Sequence, residues 1–524
     1  MISGFLLWLF LTNFDMMTIR PILPFTLVIL FACAPNIRIV DRYATNEKKT
    51  VEVVKGNGNE GRVTKRINYY SDGQIKSEIN ISNGEANGKF ITFHSNGAVA
   101  SKGKFYSGKE RGEWVWTNAK GSVDSIHTYK DGVLHGKTQY YSGKKLIISQ
   151  KYSDGELNGK FIENYPTGSK KVSGKYLNDL PHDKWIWWEA DKSKSRLVNF
   201  SNGIKHGNIQ VWNEGHAVLS GSFDQDQKSG TWKWHRSKKD LDSLANYSKG
   251  LLNGPYKAWH SNGQIAVNGS FLNGTLQGFW QWYSEDDILD SSKTFTQGLL
   301  NGPSKFYYKN GQLKRSVYYA SNFLQGEDNS YFSSGQIKEK TTYHSGKKTG
   351  PYEVWNTSAR PAEKGSFIDD ELNGMIQRWY YTGASASIAS YKAGILDGVM
   401  QVFTLSNRLK RELFYDKGKE IARLEYHDNG RFKRVIIIND GKLQYERKWN
   451  QSGVEETAEV YITGTRMDSD FYLSGVLKYE CIYKGKSKHG MEWWFDESRN
   501  PTKVNLFLNG NEILSHELSY ETNE

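Results

Sequence analysis

From residue 64 to residue 490 the chain is built of short apolar–polar alternations broken by glycine. Lys89-Phe90-Ile91-Thr92-Phe93 alternates with a period of two, the signature of a half-buried strand. His94-Ser95-Asn96-Gly97 then supplies an Asn-Gly turn, where glycine accepts positive φ. Ala98 to Phe105 reads as a second strand, and Ser107-Gly108-Lys109 starts the return. After residue 60 no i, i+3, i+4 apolar stripe of helical length occurs. The pattern predicts an all-β chain, a meander of consecutive hairpins.

The alternation is itself periodic. An anchor glycine returns every 23 or 24 residues, at Gly88, Gly112, Gly136 and Gly159, and again from Gly207 through Gly230, Gly254, Gly278, Gly302, Gly326, Gly350 and Gly374 to Gly398. Asn or His often precedes it, which reads as turn chemistry. Five residues after the anchor stands an aromatic row: Trp188, Trp212, Trp259, Tyr283, Tyr307, Tyr331, Trp355 and Trp379. Seven residues before it stands another, including Phe105, Phe223, Phe271 and Phe367. The two rows are expected on facing strands as cross-strand pairs. Four anchors lack glycine, at Asp183, Ile421, Gln444 and Arg466, so regularity is in doubt near 176–188 and 415–475.

A fixed period of this size marks a repeat protein, in which each repeat buries its apolar face against its neighbours. About 19 tandem β-hairpin repeats of 23–24 residues are expected over residues 61–505, degraded after about 415. Two strands per repeat advance about 9–10 Å, and roughly 20° of twist per strand pair gives an elongated, single-layer twisted sheet.

Leu252-Asn253-Gly254-Pro255-Tyr256-Lys257-Ala258-Trp259-His260-Ser261-Asn262-Gly263 carries the unit clearly. It resembles the bacterial MORN-repeat variant, whose members include antitoxin-like proteins of the YwqK family, and the likeness runs over residues 64 to about 500. The resemblance implies stacked β-hairpins and, from eukaryotic relatives, membrane association and scaffolding. It implies no catalytic residues and no cofactor.

Residues 1–33 are the one strongly apolar stretch. Pro21 to Ala32 is short for a membrane span and suits a signal-peptide core ending at Leu30-Phe31-Ala32-Cys33, which resembles a bacterial lipobox. Cys33 is the expected lipid-attachment site. Arg20 is the sole positive charge before it, so the start codon reads as Met1, Met16 or Met17. Residues 34–60 are expected as a flexible tether and 506–524 as a C-terminal tail. With Cys33 acylated, Cys481 has no partner for an intrachain disulfide.

Other motifs reduce to repeat chemistry. Gly56-x-Gly58-x-x-Gly61 has no helix to open, so a dinucleotide loop is rejected in favour of a linker. Gly132, Gly136, Lys137 and Thr138 are one residue short of a phosphate loop. His135, His206 and His489 share the place before an anchor glycine, where turn chemistry explains them better than metal binding. Net charge is +12, spread along the chain, with Lys109, Lys205, Lys249, Lys347 and Lys348 recurring at turns. A basic edge suits an anionic surface, or keeps sheet edges soluble.

Aromatic residues make up 14% of the chain, more than a thin sheet needs, so the row from Trp188 to Trp379 five after the anchor is a candidate binding row. Trp114 with Trp116, Trp185 with Trp187 and Trp188, Trp232 with Trp234 and Trp493 with Trp494 are candidates for an exposed ladder that stacks sugars or meets a protein partner. The sequence therefore predicts a non-enzymatic, lipid-anchored binding or scaffolding surface of a bacterial cell envelope, with a protein or glycan partner and no nucleic acid. The alternatives are a cytoplasmic antitoxin-like protein and a carbohydrate binder.

Overall fold

The computed structural model describes residues 36–56, 60–461, 464–508 and 510–518; Cys33 and the signal segment lie outside them. Every described element is a β-strand, and the strand pairings are antiparallel, between strands next or nearly next in sequence. The chain divides into two compact units, one ending at Leu180 and one beginning at Pro181. The first holds the strands from Asn36–Arg42 to Lys170–Leu177. The second carries its hairpins on to Glu455–Val460 and adds a separate five-stranded sheet from Thr465–Phe471 to Asn511–Glu517.

Two of the expected boundaries move. The stretch expected as a tether contains strands Asn36–Arg42 and Lys48–Lys55, in register with each other and with Arg62–Tyr69. The reason is the alternation of Thr50-Val51-Glu52-Val53-Val54, which buries Val51 and Val54. The expected tail likewise contains strand Asn511–Glu517, paired with Pro501–Leu508.

The anchor glycine lies in the middle of a strand rather than in a turn. In strand Glu85–Phe93, Ala86 pairs with Ile81 and Phe90 with Ile79, so Asn87-Gly88-Lys89 stands opposite the single residue Asn80. This is a bulge with two extra residues, and Gly88 takes φ +106° to make it. The same offset recurs around Gly112 and Gly278. His135 and His206 accordingly precede a bulge, where their rings reach Asp154 and Asp224 at 3.2 and 3.3 Å. Asp183 takes the same positive φ, +59°, and keeps the usual register with the following strand, so the array is regular there. At Ile421 and Gln444 the bulge shrinks to one extra residue, neither has positive φ, and glycine is no longer required.

The turns lie at the two strand ends. At one, two successive residues have positive φ, as in Ser107-Gly108 (44° and 77°), the geometry of a type I′ hairpin. At the other sits the Asn-Gly turn, where Gly97 N–H donates to His94 O at 2.9 Å. Both series are laced from repeat to repeat. Gly108 N–H donates to Ala86 O at 2.9 Å and Gly132 N–H to Glu110 O at 2.9 Å. At the opposite end Asn96 Nδ2 donates to Ala119 O, and Asn310 Nδ2 to Ser333 O, each at 2.8 Å.

Strand alternation separates two faces. One holds the packing, centred two residues after the anchor: Trp114, Trp185, Trp232, Trp280, Tyr352 and Ile376 are all buried. Each sits over a small residue of the preceding strand. A Cβ added at Gly103, Gly221 or Gly269 would lie 2.2, 2.3 or 2.1 Å from the indole of Trp114, Trp232 or Trp280. The pairing reverses where the later residue is small, as with Ser304 opposite Lys293. The aromatic row seven before the anchor joins this layer: Phe105 pairs with Gly88 and its ring lies 5.0 Å from Trp114, as Phe271 lies 5.0 Å from Trp280. Its packing partner is therefore the row at +2, and not the row at +5.

The C-terminal region that read as degraded is the best-packed part of the molecule. Phe414, Ala422, Leu424, Val435, Ile437 and Tyr445 of the hairpin sheet meet Ile482, Met491, Trp493, Phe495, Val504 and Leu506 of the five-stranded sheet. Here the fold has two layers, correcting the single-layer expectation. Phe414 pairs with Val399 next to Met400↔Leu413, so this core sits on the face opposite the indole row. Apolar residues change sides because the second sheet covers what upstream faces water.

Candidate functional site

The row five residues after the anchor ends the long strand of each repeat. Trp188, Trp212, Trp259, Tyr283, Tyr307, Tyr331, Trp355 and Trp379 are all half-buried. Lys194 Nζ stands 5.8 Å from the Trp212 ring, Lys340 5.9 Å from Trp355 and Lys364 5.6 Å from Trp379, each a cation–π contact. The backbone of this row is engaged as well: Tyr308 Oη donates to Tyr331 O at 2.8 Å, and the His260 ring bonds Tyr283 O at 2.8 Å. The row is thus a repeat-to-repeat seam with lysines over several rings.

Of the tryptophans considered for sugar stacking, Trp114, Trp185, Trp232 and Trp493 are 5%, 5%, 2% and 0% exposed, so packing claims them. The lysines also do more than line an edge, since Lys205, Lys348 and Lys488 lie over Phe223, Phe367 and Phe507 at 5.2, 5.1 and 4.8 Å.

The face opposite the indoles was not anticipated. Three residues after the anchor it carries amides in some repeats, at Gln210, Gln281, Asn329, Gln377 and Gln401, and charges in others, at Lys233, Lys257, Lys305 and Glu353. On the same face the shorter strands place Asn, Ser or Thr opposite the residue one after the anchor, as at Asn199, Asn246, Ser270, Thr294 and Thr342. In the second compact unit these rows form a concavity of about 560 Å³ lined by Lys184, Asn199, Asn208, Gln210, Ser220 and Thr231. Its chemistry is mainly amide and hydroxyl, with one cation and the apolar Leu197 and Ile209. The only sequence signal was the recurrence of uncharged polar residues at fixed offsets, which the louder aromatic period masks.

A second concavity, of about 470 Å³, lies in the first unit between Tyr43, Lys49, Tyr70, Lys76, Phe90 and His94. Lys49 and Lys76 sit 5.9 and 5.6 Å from the rings of Tyr43 and Tyr70. Nearby, Glu52 accepts from Arg38 and Arg66, which hold its carboxyl below the usual range. Among the described residues no group of three or more His, Cys, Asp or Glu is placed to hold a metal. No described helix is long and apolar enough to cross a membrane.

The MORN repeat variant family model matches at residues 62–83 and 300–320, the first ending beside Gly84 and the second spanning Gly302. Repeats of this kind suggest a binding or scaffolding role built on repetition. No curated protein matches the chain. Among solved structures the chain is similar to the Photorhabdus luminescens Tc holotoxin pore, at 9% identity and a TM-score of 0.13, over 90% of this chain and 31% of that one. It is also similar to the TcdB2-TccC3-Cdc42 complex, at 10% identity and a TM-score of 0.10, over 89% and 34%. The chain therefore spans about a third of the length of these structures.

Proposed function

We propose that the chain is a non-enzymatic, lipid-anchored binding and scaffolding surface of a bacterial cell envelope. The observation that carries this reading is repetition of one polar face: hydroxyls or amides opposite the residue after the anchor recur at Asn199, Ser222, Asn246, Ser270, Thr294, Thr342, Ser366 and Ser390. A surface of this kind offers many equivalent weak contacts, and its strength comes from multivalency rather than from one enclosed site. Attachment rests on Cys33 and the apolar run before it. The test is membrane fractionation with intact mass from the native host, beside Cys33→Ala. The expected outcome is an acylated wild-type chain beginning at Cys33 and a variant released from the membrane. Two soluble proteins that both retain residues 1–33 would refute the anchor and favour a cytoplasmic, antitoxin-like role.

One observation favours a glycan as the bound partner. The groove around Asn199, Asn208, Gln210, Ser220 and Thr231 presents donors and acceptors with little formal charge, the complement of a neutral polyhydroxylated chain. Calorimetric titration with soluble neutral polysaccharides tests it. Binding lost in Asn208→Leu/Gln210→Leu is expected, and heat unchanged by that variant would exclude this groove.

A further inference from the structure

The first described strand and the last strand of the hairpin sheet each pair on one side only. Asn36–Arg42 is bonded to Lys48–Lys55, and Glu455–Val460 to Lys442–Trp449. Among the described residues neither has a partner on its outer side. Such an edge presents unpaired N–H and C=O groups to any compatible strand, and soluble proteins usually block it. Here the blocking is slight. Neither strand contains proline, the lengths are 7 and 6 residues, and Asn36–Ile39 keeps regular register, the irregularities being confined to Asp41 and Arg42. Both edges also carry exposed apolar side chains: Ile37 and Val40 on one, Val454, Val460 and Tyr461 at the other.

Their charges are opposite. The N-terminal edge bears Arg38 and Arg42 against Asp41, with Lys48 and Lys49 on the adjoining strand. Asp41 is already paired with Lys49, and Arg38 with Glu52, which leaves Arg42 and Lys48 without a carboxylate partner among the described residues. The C-terminal edge bears Glu455, Glu456 and Glu459 and no cation within the strand. Glu455 meets Arg499 at 3.5 Å, while Glu456 and Glu459 have no cationic partner among the described residues. In a chain of net charge +12, a strand with three carboxylates and no base is a local exception. Of the edges of the five-stranded sheet, Thr465–Phe471 mixes Arg466 with Asp468 and Asp470, and Asn511–Glu517 has two carboxylates, of which Glu517 meets Lys503 at 3.8 Å.

We propose that the protein assembles head to tail, the basic outer edge of Asn36–Arg42 in one copy pairing antiparallel with the acidic outer edge of Glu455–Val460 in the next. The contact is heterologous: each copy uses one edge and offers the other, so a bound copy still presents an edge to a further one. Main-chain hydrogen bonds supply attraction, as in strand addition to any sheet edge. The charges set partner and direction, and they make association salt-dependent.

Sedimentation velocity of the full-length chain over a concentration series, at low and high salt, is the test. The expected result is a mean mass that climbs past the dimer without a plateau and falls several-fold in high salt. Glu456→Lys/Glu459→Lys is expected to remain monomeric, as is Arg42→Glu/Lys48→Glu. An equimolar mixture of the two variants is expected to recover assembly, because each variant's altered edge then meets its complement. These side chains are exposed, and unchanged circular dichroism verifies folding. A wild-type monomer at every concentration, or variants that assemble as wild type does, overturns the proposal. So does a wild-type monomer whose binding to phosphatidylglycerol vesicles is abolished by Arg42→Glu/Lys48→Glu, since that result assigns the basic edge to a lipid surface.

Discussion

Gly269→Ala tests the packing layer with one methyl group. Gly269 lies beneath Trp280, which is 3% exposed and donates from Nε1 to Ser270 O at 3.0 Å. The new Cβ would stand 2.1 Å from Trp280 Cδ2, where ordinary contact begins at 3.4 Å, so the indole must retreat by about 1.3 Å. It has little room, with Phe271 at 5.0 Å, Tyr256 at 5.8 Å and Trp282 at 5.9 Å between ring centroids. Overpacking of this kind costs about 1–3 kcal/mol. Losing the indole hydrogen bond adds about 1 kcal/mol, and complete ejection of the ring sets a ceiling of about 3–5 kcal/mol. The expected cost is therefore about 2–4 kcal/mol, close to the ceiling for one residue.

Gly269 does not have positive φ, so backbone strain contributes nothing and the effect belongs to the ring. Because a repeat array need not unfold as one unit, the assay is native-state hydrogen exchange. Amides of Ile265–Leu272 and Thr275–Tyr283 are expected to exchange one to three orders of magnitude faster, with Pro361–Ile368 as the distant control. In Gly269→Ala/Trp280→Ala the two losses should fall short of additivity by about 1–3 kcal/mol, because the clash is gone. Protection altered by less than about 0.5 kcal/mol, or additive losses, would refute the size-complementarity argument.

Three further perturbations separate other causes. Gly278→Ala places its Cβ in open space but holds φ +72°, so it should cost about 1–2 kcal/mol through backbone alone, with no rescue from trimming Trp280, in the same exchange experiment. Glu52 is depressed first by Arg38 and then by Arg66, so its stabilisation is complete above the ordinary value of 4.5 and is lost as pH falls through the lowered one. The melting-temperature gap between wild type and Glu52→Gln should be widest near neutrality and close on acidification below that value. Arg447 and Glu480, both buried, join the two C-terminal sheets at 2.8 Å. Arg447→Met should cost about 3–5 kcal/mol by stranding Glu480, and Arg447→Met/Glu480→Leu should recover most of it in urea titrations.

Strand content, repeat length and both turn series were legible in the sequence, because period-two alternation and positive-φ glycines are local properties. The bulge was not, since a glycine after Asn or His serves a mid-strand bulge and a hairpin turn equally well; only the register of Gly88 against Phe105 separates them. The indole layer was hidden for a different reason. Its constraint acts on pairs: Trp280 needs Gly269, while Ser304 tolerates Lys293, so neither position repeats its own residue type. Loss of glycine at Ile421 and Gln444 resembled decay, yet it accompanies a smaller bulge and a second sheet. The amide groove was overlooked because Asn, Gln, Ser and Thr on a strand look like ordinary solvent-facing residues until the fold lines them up.

The lacing of the turns bears on how such a chain changes length over generations. Every bond in it joins a residue to its counterpart one repeat away, as in Asn96 to Ala119 or Gly132 to Glu110. Excision or duplication of one whole repeat therefore leaves each donor facing an equivalent acceptor, whereas loss of a few residues breaks the contacts that bridge the gap. Copy number is free to drift by unequal recombination while the interior stays intact, and only the ends are fixed: the two-layer cap and the first edge strand have no equivalents to take their place.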